Sequence, residues 1–67
     1  MEKLHEKIKL LRENAGISQC RLAKELEVNQ ANISRWESGQ QLPDINGLHK
    51  LAVYFDVSAD YLLGLES

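Results

Sequence analysis

Four residues in this chain, Ser18, Asn29, Asp44 and Ser58, each stand directly in front of a short segment whose apolar residues recur at helical spacing. Ser, Asn and Asp side chains accept hydrogen bonds from the free amides at a helix start. Gly16, Gly39 and Gly64 stand where such segments run out, suited to the left-handed residue that ends a helix. Caps and stops this close together leave room only for helices of about two or three turns. Such helices must bury their apolar stripes against one another. No alternating run, internal repeat or low-complexity stretch competes with this pattern. The expectation is an all-α domain.

The first helix is expected from about Glu2 to Asn14, with Leu4, Ile8, Leu11 and Ala15 on one face. The second starts after Ser18 and turns Leu22, Ala23 and Leu26 inward. Its small Ala23 lets another helix approach closely. Glu27 and Val28 form a turn, and Asn29 caps a third helix from Gln30 to Glu37. Asp44 caps a fourth through about Phe55, with Ile45, Leu48, Leu51, Ala52 and Phe55 as its apolar face. Asp56 is its left-handed stop, a conformation Asp tolerates better than most residues. Ser58 opens a last short helix through Leu63.

Size and charge narrow the function classes. With 67 residues the chain is one domain, 1–67, whose core contributes only about 3–5 kcal/mol net. Cys20 is the single cysteine, so no internal disulfide forms. A free thiol and a charged N-terminus without a signal-like apolar run point to the cytoplasm. No stretch reaches the roughly 20 apolar residues of a membrane span. The net charge of −2 hides an asymmetry: residues 1–24 carry +3 and residues 25–67 carry −5. A polyanion would approach the N-terminal half and Arg35, and avoid the rest.

The third helix carries the chemistry. On a wheel of about 100° per residue with Ile33 inward, Trp36, Glu37 and Asn29 fall within about 60° of it. Ala31, Ser34, Arg35 and Ser38 lie opposite, Asn32 lies at the flank, and Gln30 sits in the first turn. Gln and Asn amides donate and accept at once, which matches adenine N6 and N7. Arg forks onto guanine O6 and N7, and an Ala methyl touches the thymine methyl. Polar outward faces are usually only solvated. This one, however, has short side chains in place of the Glu and Lys of a solvated face. Gln19, in the first turn of the second helix, is placed to bind a phosphate there, or simply to support the cap.

From about Lys7 to Gly64 the chain resembles the Cro/cI-type helix-turn-helix family, also called XRE or lambda-repressor-like. The residues that carry the likeness are Ile17-Ser18-Gln19, Leu22-Ala23, Val28, Ile33-Ser34-Arg35-Trp36-Glu37, Gly39 and Asp60-Tyr61-Leu62-Leu63-Gly64. The resemblance implies a compact five-helix domain with its helix-turn-helix unit at 18–38. It also implies a bacterial or phage transcriptional regulator, usually a repressor, acting as a homodimer on a palindromic operator in double-stranded DNA. Carried over by position, Gln30, Ala31, Asn32, Ser34 and Arg35 are assigned to base edges. Gln19, Asn29, Ser38 and Gln40 are assigned to the DNA backbone. Two departures stand out. Glu27 occupies a turn position that is usually Gly, which implies a strained positive φ. The loop after Gly39 has Gln40 and Gln41 where relatives often carry Lys or Arg, which implies a shallow salt dependence.

Arg12 and Glu37 each fall about 40° from the inward centre of their helices. Charges turned inward need partners, so the two are expected to pair, and the resemblance supports it. The dimer surface is expected at Tyr61, Leu62 and Leu65. Trp36 reads as core, and Cys20 as a tolerated small residue at the edge of a stripe. His5, His49 and Cys20 lack metal-ligand spacing. Neither a catalytic Ser/His/acid grouping nor a Gly-rich phosphate loop is present. An enzyme, a metal and a small-molecule cofactor are therefore not expected. A rival reading is an antitoxin-type module that neutralises a protein partner and regulates its own operon. The end at Glu66-Ser67 suits either a whole protein or the N-terminal part of a longer regulator.

Overall fold

The computed structural model describes residues 3–65. Its elements are α1 (Leu4–Asn14), α2 (Gln19–Leu26), α3 (Gln30–Ser38), α4 (Ile45–Phe55) and α5 (Ala59–Leu63). Among the described residues there is no strand. The expected start of α1 at Glu2 lies outside them, and α3 runs one residue further than expected.

All four caps form. Ser18 Oγ accepts from Arg21 N at 3.0 Å, and Asn29 Oδ1 from Ala31 N at 2.8 Å. Asp44 Oδ1 accepts from Gly47 N at 2.7 Å, and Ser58 Oγ from Tyr61 N at 3.0 Å. The helix ends repeat one device. The amide two residues past the helix reaches back to a carbonyl in its last turn: Val28 to Ala23, Val57 to Ala52, Leu65 to Asp60. The intervening residue is left-handed in each case. Gly64 takes that conformation freely, whereas Glu27 (φ 58) and Asp56 (φ 54) take it as non-glycine residues. Both were expected to do so.

Helix α3 sits at the centre, packed on α1 and α2. Helix α4 packs on α2 and α5, and α5 returns to α1. The core is Ile8, Leu22, Ala23, Leu26, Ile33, Trp36, Leu51 and Leu62. Each fully buried Ile or Leu among them contributes about 1.5–3 kcal/mol by leaving water. Among the described residues no helix is long and apolar enough to cross a membrane.

Three expectations need correction. Ala15 is exposed and lies just past α1, outside its apolar face. Ile45, expected in the core, is 85% exposed. It lies about 120° around α4 from the fully buried Leu51, beyond the inward stripe. Leu62, assigned to a dimer surface, is only 1% exposed and belongs to the core. The five residues of α5 are too few for a periodic pattern to fix which side faces in.

Candidate nucleic-acid interface

The orientation of α3 is fixed from beneath. Ile33, Trp36 and Glu37 are buried, so the opposite edge must face out. Gln30, Ala31, Ser34 and Arg35 are all exposed, and Asn32 is half-buried at the flank. The five residues expected to read bases therefore share one edge. The residues assigned to the DNA backbone flank it. Asn29, Ser38 and Gln40 are exposed at its ends, and Gln19 is half-buried beside it on α2. The Asn29 carboxamide is engaged as the cap of α3.

Within the strip, Arg35 Nη1 donates to Asn32 Oδ1 at 3.1 Å. The Arg35 carbonyl ends the helix. It accepts from Ser38 Oγ at 3.2 Å and from the amides of Gln40 and Gln41 at 3.0 and 3.3 Å. Those bonds hold the loop after Gly39 against the end of α3, with the Gln40 and Gln41 side chains exposed.

The Arg12–Glu37 pair forms as expected. Arg12 Nε donates to Glu37 Oε2 at 2.6 Å, and Nη2 to Oε1 at 3.1 Å. The two side chains are 13% and 3% exposed. Arg12 Nη1 also donates to the Ile17 carbonyl at 2.8 Å. One guanidinium thereby ties α1, the start of α2 and the end of α3 together. The hydrogen bond to Glu37 raises the Arg12 pKa above its usual value, against the opposing effect of burial.

Gln19 does something the sequence did not reveal. Its Nε2 donates to Glu37 Oε1 at 3.0 Å. The buried carboxylate thus holds the Gln19 amide in place, with a second N–H left for another acceptor. A helical wheel places Gln19 at the start of one helix and Glu37 at the end of another. It does not say that those ends meet.

Two further residues were missed. Lys7 Nζ donates to the Tyr61 carbonyl at 2.7 Å and lies 4.8 Å from the centre of the Tyr61 ring, so it fastens α1 to α5. Gly47 lets α4 rest on Trp36: a Cβ there would come within 2.9 Å of the Trp36 ring. A glycine inside an apolar-periodic helix was the available signal for close approach.

Comparison with known proteins gives a consistent result. The helix-turn-helix family profile matches residues 8–62. The chain is 37% identical over 62 residues to the HTH-type transcriptional activator BcrR of Enterococcus faecalis, covering 92% of this chain and 30% of BcrR. It is 38% identical over 61 residues to the HTH-type transcriptional regulator ImmR of Bacillus subtilis, covering 91% of this chain and 48% of ImmR. It thus spans less than half the length of either relative. Among solved structures it is similar to the P22 c2 repressor in complex with a synthetic operator. The TM-score is 0.90 at 30% identity, over 98% of this chain and 100% of that one.

Proposed function

The chain belongs to the helix-turn-helix family, of the XRE or Cro/cI type, and on that premise we propose that it is a sequence-specific regulator of transcription reading the major groove with α3. The observation that carries this is the outward edge of α3. Gln30, Ala31, Asn32, Ser34 and Arg35 lie on one strip, while the opposite face of the same helix is locked into the core. Their amide, methyl, hydroxyl and guanidinium groups match base edges. Gln19, Asn29, Ser38 and Gln40 flank the strip at the positions of backbone contacts. The P22 c2 repressor, similar over its whole chain, was solved with operator DNA. That supports operator binding, and repression is the output proposed here.

A homodimer on a palindrome, with half-sites about 34 Å apart, completes the reading. Its surface is proposed at Tyr61 and Leu65. Leu65 stands two residues past its helix, as Val28 and Val57 do past theirs, and Ile17 stands three past α1. Those three pack against the core, while Leu65 is 72% exposed. An apolar residue in that setting is suited to a second subunit.

The test is selection from random duplexes by the 67-residue chain. The expected outcome is a palindromic site of two half-sites. Failure to hold any duplex above background would end this reading. A Leu65→Glu chain is expected to fold as wild type but sediment as a monomer and bind the selected site more weakly.

A further inference from the structure

Two groups on the outward strip do not act separately. Arg35 Nη1 donates to Asn32 Oδ1 at 3.1 Å, three residues back along α3 and so on the same face. An amide reads adenine by donating to N7 while accepting from N6. Here the acceptor is already engaged by a cation. An adenine N6 amino group brought to Oδ1 would meet guanidinium hydrogens beside it. What the pair presents outward is mainly donors: the Asn32 amide hydrogens and the remaining guanidinium hydrogens, beside the one lone pair that Oδ1 keeps. Guanine offers two acceptors, O6 and N7, on its major-groove edge. Asn32 is half-buried and Arg35 exposed, so Asn32 is the anchored member and Arg35 the group it steadies. A long side chain held in one orientation before binding has less freedom to lose on contact.

Building on the major-groove reading above, we infer that Asn32 is a positioning residue for Arg35, and that the pair serves one guanine, read by Arg35, rather than an adenine and a guanine apart. Asn32 then acts through Arg35.

The experiment is random-duplex selection with the full chain as wild type, Asn32→Ala, Arg35→Ala and the double variant, each first shown to melt as a folded protein. Arg35→Ala is expected to lose guanine preference at one base pair per half-site, by about 5- to 150-fold. Asn32→Ala is expected to weaken preference at that same base pair, and the double variant to lose no more than Arg35→Ala. Asn32→Asp keeps an acceptor for Arg35. It is expected to retain the guanine preference while binding more weakly to every sequence. The inference is overturned if Asn32→Ala changes a different base pair or leaves the guanine preference intact. Uniform weakening by Arg35→Ala would also overturn it, by making Arg35 a phosphate contact, and would leave α3 as a DNA reader. Absence of any bound duplex for wild type would sink the major-groove reading itself.

Discussion

Glu27 shows how one side chain can sit in the wrong conformation for its type and still be tolerated. Its φ of 58° costs a non-glycine residue of order 1–2 kcal/mol. The turn keeps it there because Val28 reaches back to Ala23 and is packed against the core. Glycine removes the steric cost but loses more freedom on folding, by about 0.5–1 kcal/mol. The balance favours glycine at an exposed, left-handed site. We expect Glu27→Gly to stabilise the domain by about 0.5–1 kcal/mol, raising the midpoint of a thermal melt by a few degrees. A lower midpoint would show that the Glu27 side chain supports the turn in the unbound protein. Asp56 has the same conformation (φ 54), but Asp populates it more readily, so Asp56→Gly is expected to change the midpoint less.

At the level of helices, the molecule depends on joints that differ in how far apart their parts lie in the sequence. Arg12 is the most demanding. It is a half-buried charge whose removal leaves the buried Glu37 carboxylate without a counter-charge and with only the Gln19 amide as a side-chain partner. Breaking a buried pair costs about 3–5 kcal/mol, which is comparable to the whole stability available to a domain of this size. An Arg12→Ala chain is therefore expected to be largely unfolded at 37 °C by circular dichroism. Replacing both partners with Met and Leu should recover much of the loss, because no orphaned charge remains. Gly47 sets the contact between α4 and Trp36. Alanine gains about 1 kcal/mol in helix propensity but forces its Cβ to 2.9 Å from a buried indole. Overpacking of that kind costs about 1–3 kcal/mol. We expect Gly47→Ala to lower the melting midpoint and to shift the fluorescence of Trp36, the only tryptophan. These joints also mark what the sequence could disclose. Ser18, Asn29, Asp44 and Ser58 were legible because a cap and its amide lie within three residues of each other. The outward strip of α3 was legible because Ile33 and Trp36 set the phase of a helix long enough to have one. Leu62 and Gln19 were not, because each depends on where a second helix comes to rest, and Ile45 was misplaced because a position about 120° from Leu51 was counted into the inward stripe. Arg12 and Glu37 could be paired from afar because two inward charges of opposite sign each needed a partner, a pairing the family resemblance also implied.

Across the whole molecule the charge asymmetry is smaller in effect than in count. Of the basic groups in residues 1–24, Arg12 is neutralised by Glu37 and Arg21 pairs with Glu25 at 2.9 Å. Lys7 is drawn to the Tyr61 carbonyl. The exposed lysines of that half are Lys3, Lys9 and Lys24. Beside the reading strip, the loop after Gly39 offers Gln40 and Gln41, exposed but uncharged. On the function proposed above, affinity for DNA would come from base contacts and dimerisation more than from phosphate neutralisation. It should then decline gently as salt rises, since the slope of log K against log salt follows the number of phosphates neutralised. Placing lysine at both positions is the direct check. The backbone amides of Gln40 and Gln41 bond to the Arg35 carbonyl and are untouched by side-chain replacement, so the loop should keep its place. Each new phosphate contact is expected to steepen the slope by about 0.9, while the selected sequence stays the same. Anisotropy titrations from about 50 to 200 mM salt span a range in which such a change is readily measured. An unchanged slope would mean that this loop does not reach the DNA backbone, and would remove Gln40 from the interface. A changed sequence preference would mean that the loop reads bases, and that the recognition surface extends beyond α3.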